Sequence, residues 1–160
     1  MTMITQSNDS NSMVFAYVRV STKEQNVDSQ LSDISKLYPD AEITTEKVSG
    51  TVPAKERAGL SVLLGKLRKG DTLVVWWVDR LGRDYRDAES TIRELLDRGV
   101  CIKTINQGLT FSYSNKDDDM QNMVTDIQIT MLTAMAAAER KNRLASAEAG
   151  RQALKANPAK

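Results

Sequence analysis

Arg19 and Ser21 stand two residues apart, and Asp79, Arg80 and Arg83 follow within about one helical turn of one another further along the chain. A hydroxyl, a carboxylate and three guanidiniums suit phosphoryl transfer, which needs a nucleophile and planar forked donors that stay charged while they hold phosphate oxygens. Each residue taken singly has a plainer reading, with Asp79 and Arg80 capping a helix and Ser21 sitting in a turn. Their joint placement favours chemistry, because a structural role does not need several arginines converging on one hydroxyl. Arginine is a poor base at neutral pH, so the group that takes the serine proton is left open.

The elements that carry these residues explain why they would meet. Val14, Ala16, Val18 and Val20 alternate with Phe15, Tyr17 and Arg19, the pattern of a strand. Val27, Leu31, Ile34 and Leu37 form one helical stripe that Pro39 ends. A second strand is predicted around Ile43 to Val48, and Leu60, Leu63, Leu64 and Leu67 mark a helix stopped by Gly70. Leu73 to Val78 is an unbroken apolar run, as in a parallel strand covered on both faces. Tyr85, Ala88, Ile92, Leu95 and Leu96 predict the next helix, and Val100 to Ile105 a further strand. This alternation implies an α/β fold with a mostly parallel central sheet flanked by helices. Ligands of such sheets bind beyond the carboxyl ends of the strands, where Arg19, Ser21, Asp79, Arg80 and Arg83 fall.

From Gln107 to Asp119 the pattern lapses into a polar loop. No Gly or Pro then appears between Met120 and Ala149, which predicts a helix of roughly 30 to 38 residues, about 45 to 57 Å long. That is longer than a small domain can cover, so the helix must project. Met120, Met123, Val124, Ile127, Met131, Ala134, Met135 and Ala138 recur along it at helical spacing. Such a stripe is more often core than anything else, yet one domain cannot bury all of it, so part is expected to be subunit interface. Trp76 and Trp77 read as packing, and Cys101 as a small buried hydrophobe.

The chain has 160 residues, no His and one Cys, with 22 basic against 21 acidic residues. It has the size of one domain, and its composition excludes a disulfide framework, a Cys–His or Ser–His relay and any ordinary zinc site. Neither a metal nor a cofactor is expected. The phosphate-loop pattern Gly-x-x-x-x-Gly-Lys-Ser/Thr is absent, which disfavours a nucleotide enzyme. Apolar runs fall short of a membrane helix and the segment Met1 to Ser12 is polar, so a cytoplasmic protein is expected. Residues 139–160 carry a net charge of +4 against −3 for the remainder. The basic end, with Arg140, Arg143 and Arg151, suits contact with a polyanion, the plainer alternative being a solvated helix face.

The run Tyr17-Val18-Arg19-Val20-Ser21-Thr22-Lys23-Glu24-Gln25-Asn26 is followed by Ser49-Gly50, Arg57, Gly59-Leu60, Gly70-Asp71 and Asp79-Arg80-Leu81-Gly82-Arg83. Taken in order, these resemble the resolvase/invertase family of serine site-specific recombinases over roughly residues 14–152. Ala138-Glu139-Arg140 and Gly150-Arg151-Gln152 resemble that family's long interface helix. The resemblance implies a resolvase-like fold and attack by Ser21 on a DNA phosphodiester, giving a 5′-phosphoserine link and a free 3′ hydroxyl, with no metal or ATP. Arg19, Arg57, Arg80 and Arg83 would hold the phosphate oxygens. Asp79 would orient an arginine or assist proton transfer to the leaving oxygen, while Tyr17, Gln25, Gln30 and Glu46 would support the site. Arg140, Arg143 and Arg151 would contact double-stranded DNA. Met120, Met123, Ile127, Met131 and Met135 would join a homodimer and, in the synaptic state, a homotetramer.

The resemblance divides the chain into a disordered or fusion-derived leader, 1–13, a catalytic core, 14–119, and an oligomerisation and DNA-contacting helix, 120–157. Family members continue into a helix-turn-helix domain that reads the site, and none is expected before Lys160. Ala145-Ser146 stand where members often carry Glu-Arg, and Glu46 replaces an Asp. The first departure keeps a second expectation open, a catalytically impaired DNA-bridging or dimerisation module of the same fold. A third, a phosphate-ligand binding domain of flavodoxin-like type, keeps the arginine edge but leaves the projecting helix unexplained.

Overall fold

The structure, a computed structural model, describes residues 12–20, 27–113 and 119–156. Five strands run β1 (Val14–Val20), β2 (Glu42–Lys47), β3 (Thr72–Val75), β4 (Cys101–Thr104) and β5 (Thr110–Phe111). Four helices accompany them: α1 (Val27–Leu37), α2 (Ala58–Lys66), α3 (Tyr85–Asp97) and α4 (Asp119–Ala156). The sheet order is β2-β1-β3-β4-β5. All pairs are parallel except the last, where Ile102 and Lys103 face Phe111 and Thr110 in antiparallel register. The chain order reverses between β1 and β3, the switch point beyond whose carboxyl ends ligands of such sheets bind.

Both faces of β1 are buried, as a central parallel strand requires. Ala16 and Val18 pack with Ile34 and Leu31 of α1 on one side. Phe15 and Tyr17 enter the larger core on the other, with Leu60 and Leu63 of α2, Ile92, Leu95 and Leu96 of α3, and Ile129 of α4. β3 is shorter than the apolar run 73–78 suggests. It ends at Val75, and the chain turns through Trp76 and Trp77 into a single 3-10 turn, Val78–Leu81. Trp77 still packs on the larger core, whereas Cys101 is only half-buried.

α4 spans 38 residues, about 57 Å. Its core-facing side mixes polar and apolar groups: Thr125, Ile129 and Thr133 are buried, Leu132 packs beside them, and the two threonine hydroxyls donate back to the carbonyls of Gln121 and Ile129. Met120, Met123, Ile127, Met131 and Met135 are each more than half exposed. A polar clamp fixes the helix to α3, with Arg93 bonded to Glu89, Asp126 and Thr130 at 2.8, 3.1 and 3.0 Å. Among the described residues, no helix is long and apolar enough to cross a membrane.

Candidate active site

Ser21 and Gln25 lie outside the described residues, so the site is built from the groups that frame segment 21–26. Arg19, next to last in β1, donates from Nη1 to the Val48 carbonyl at 3.2 Å. Its guanidinium lies flat against Gly50, where a Cβ would stand 3.4 Å from Cζ. The turn after β2 therefore packs against the arginine.

Arg57 sits at the start of α2 and is fully buried. Its Nε donates to Val52 O at 2.9 Å, Nη1 to Arg80 O at 2.9 Å and Nη2 to Gly50 O at 3.4 Å. Enclosure of a charge is tolerable here because its donors meet carbonyl oxygens. The sequence places Arg57 among the phosphate-holding arginines; in the structure its donors face the main chain of the turns that carry Gly50 and Arg80.

Tyr17 and Glu46 brace the same corner. The Tyr17 hydroxyl donates to Glu46 Oε2 at 2.8 Å, and burial with this carboxylate raises the phenol well above its ordinary range. Glu46 also accepts from the Gly59 and Leu60 amides at 2.7 and 3.1 Å. It thus caps the amino end of α2 from a neighbouring strand, where no side chain of the helix itself does so. Gly59 allows this approach, since a Cβ there would stand 2.9 Å from Glu46 Cδ. Gln30 is buried on α1.

Asp79 and Arg80 occupy the 3-10 turn beyond β3. The Arg80 side chain is only 14% exposed; its Nε lies 4.0 Å from Asp79 Oδ1 and, buried, has no hydrogen-bond partner. Arg83 is more open, with Nε 3.6 Å from Asp84 Oδ2. Its backbone amide is fixed by Asp87 Oδ2 at 2.9 Å, an atom that also takes the Ala54 amide at 2.9 Å. Asp84 caps α3 by accepting from the Asp87 amide.

A cleft of about 240 Å³ opens beside this turn, lined by Trp76, Trp77, Asp79, Arg80 and Asn106 and by Leu132, Met135, Glu139 and Arg143 of α4. The structure thus brings Arg143 to the Asp79–Arg80 turn. Arg151 lies eight residues further along the helix, paired with Glu148 at 2.9 Å. The Arg140 side chain is outside the described residues. Sequence reasoning missed Trp76, Asn106 and Glu139 as site residues. The four-residue spacing of Glu139 and Arg143 on one helix face was a usable signal for the last, whereas Asn106 stands in the turn after β4, where its backbone N–H donates to Trp76 O.

Comparison with known proteins matches residues 14–159 to a family described as the resolvase N-terminal domain. The chain is 37% identical over 143 residues to a transposon Tn3 resolvase of Escherichia coli, covering 89% of this chain and 71% of that protein. It is 36% identical over 148 residues to a resolvase/recombinase of Pseudomonas putida, covering 92% and 76%. A DNA-invertase of Escherichia phage P1 is 40% identical over 100 residues, covering 62% of this chain and 52% of the invertase.

Proposed function

The chain belongs to the resolvase family of serine site-specific recombinases, and from that premise we propose that it cleaves and rejoins DNA strands through Ser21. The observation that carries the reading is the arginine frame. Arg19 stands next to last in β1, two residues before Ser21, and Arg80 and Arg83 stand beyond β3, at the edge where the strand order reverses. Ser21 Oγ attacks the phosphorus of one phosphodiester, the 3′ oxygen leaves, and a 5′-phosphoserine ester keeps the bond for religation. Proton uptake by that leaving oxygen balances the proton lost by the serine. Arg19, Arg80 and Arg83 stabilise the charge on the non-bridging oxygens. Asp79 orients Arg80. Arg57, Tyr17, Glu46 and Gln30 act through the turns they fix, and Gln25 supports the site from segment 21–26.

In this reading 14–119 is the catalytic core and 120–157 the helix that contacts duplex DNA through Arg140, Arg143 and Arg151. That helix also joins copies of the chain, first as a homodimer and then as a synaptic homotetramer, through Met120, Met123, Ile127, Met131 and Met135. The protein works on DNA in the cytoplasm. Neither a metal nor a cofactor takes part.

The test is a trapped adduct. With the chain fused to a DNA-reading domain of known specificity and given a nicked suicide substrate in excess EDTA, a protein-linked 5′ end should accumulate. Its persistence in Ser21→Ala, or an absolute need for Mg²⁺, overturns the assignment.

A further inference from the structure

We propose that Arg143 is a substrate-contacting residue that, together with Arg80, holds one phosphodiester group in the cleft between the Asp79–Arg80 turn and α4. Two observations point to an anion there. Arg80 Nε is buried without a hydrogen-bond partner. Arg143 has no ion pair within 4.0 Å among the described residues, although Glu139 stands one helical turn before it and Asp79 lines the same cleft. Two guanidiniums on separate elements, Arg80 with its carboxylate partner Asp79 no nearer than 4.0 Å and Arg143 with no ion pair among the described residues, present forked donors to one cleft.

The cleft's size and walls narrow the ligand. At about 240 Å³ it is smaller than the sites that enclose drug-sized ligands. One phosphate with its adjoining sugar carbons is the group that suits it. Trp76, Leu132 and Met135 offer apolar wall to sugar carbons, and Asn106 offers an amide. Asp79 and Glu139 oppose a free dianion more than a singly charged diester, which favours a phosphodiester over inorganic phosphate. Because Arg143 is carried by α4 and Arg80 by the sheet edge, bound phosphodiester also bridges the two.

The proposal rests on the reading of this edge as a phosphodiester site, but its test needs no cleavage. The intact chain, labelled with ¹⁵N, is titrated with thymidylyl-thymidine while the arginine Nε–Hε signals are followed, with thymidine as the control lacking phosphate. The Arg80 and Arg143 signals should move together with one apparent Kd and stay still with thymidine. Arg143→Ala should weaken the response at Arg80 about tenfold, the scale of one charge-assisted hydrogen bond. Arg143→Lys should recover part of it, and Lys155→Ala should change nothing. Movement at Arg80 with a stationary Arg143, unchanged affinity in Arg143→Ala, or tighter binding of inorganic phosphate than of the diester overturns the proposal. A Ser21 adduct that fails to form while both arginine signals respond counts against the recombinase reading and leaves this one standing.

Discussion

Arg57 Nη1 donates to the main-chain oxygen of Arg80 at 2.9 Å, so a fully buried guanidinium holds the turn whose own side chain faces the cleft. Its other donors reach Val52 O and Gly50 O, and Gly50 in turn supports the Arg19 guanidinium. Arg57→Ala leaves three carbonyl oxygens without these donors. It should lower stability by about 3 kcal/mol or more, judged from the cost of buried unsatisfied groups. Arg57→Lys keeps the charge but not the fork and should lose about half as much. Urea unfolding measures both. A loss below about 1 kcal/mol in Arg57→Ala would show that the turn does not depend on this contact.

Two phenols make the folded state sensitive to alkali. Tyr113 is pushed up to about 12, first by burial and then by its hydrogen bond to Asp126, and Tyr17 is raised further by burial and Glu46. In the unfolded chain both ionise near 10, so above that pH the native state binds more protons than the unfolded one and stability falls as pH rises. Their contribution is whole below pH 10 and drains away as pH climbs from 10 towards the folded values. Denaturant midpoints between pH 8 and 11.5 should decline, and Tyr17→Phe should flatten the decline while lowering stability at pH 8. Ionisation of all tyrosines near pH 10 in the folded protein, followed by ultraviolet absorbance, would refute the assignment.

Gly82 has an extended backbone (φ −174°), so its requirement for glycine is one of space. A Cβ there would lie 2.3 Å from the Ala88 amide nitrogen and 2.7 Å from the Asp87 carbonyl carbon. Neither atom can yield without moving the first turn of α3. Gly82→Ala should therefore cost about 3 kcal/mol, at the upper range of overpacking, and displace the segment that carries Asp79, Arg80 and Arg83. Thermal unfolding reads the first effect. A variant as stable as the parent would mean that α3 docks more loosely than this contact implies.

Much of the frame was legible because it obeys short periods. The alternation of Val14 to Val20 and the stripes of α1 and α3 each repeat enough to be recognised. β5 has two residues and therefore no period, and it forms only because Thr104 folds the chain back onto β4 through Leu109. The run Leu73 to Val78 reads as one strand, yet Ile105 N and Asn106 N bond to the carbonyls of Val75 and Trp76 and the chain leaves the sheet there. Hydropathy likewise cannot reveal that Arg57 is enclosed, since its acceptors come from positions 50, 52 and 80. On α4 the apolar stripe is read easily, while the side that meets the core is marked by Thr125 and Thr133, which carry no apolar signal.

That inversion gives a prediction on assembly. Met123, Ile127 and Met131 are each more than half exposed in the single chain, whereas Ile129 on the same helix is 1% exposed against the core. Five large apolar side chains left open along one helix face make a patch of the kind that marks protein contact. Met131→Glu sets a carboxylate on that patch: in a dry subunit interface it would be uncompensated, while in the lone subunit it stays solvated. Sedimentation should therefore shift towards monomer, with the circular dichroism spectrum and thermal midpoint of the subunit preserved. Ile129→Glu places the same charge in the core and should unfold the α3–α4 packing. The contrast within one helix separates interface from core. A parent chain that sediments as a monomer at tens of micromolar, or a Met131→Glu chain that unfolds as Ile129→Glu does, would remove the stripe as a contact between copies.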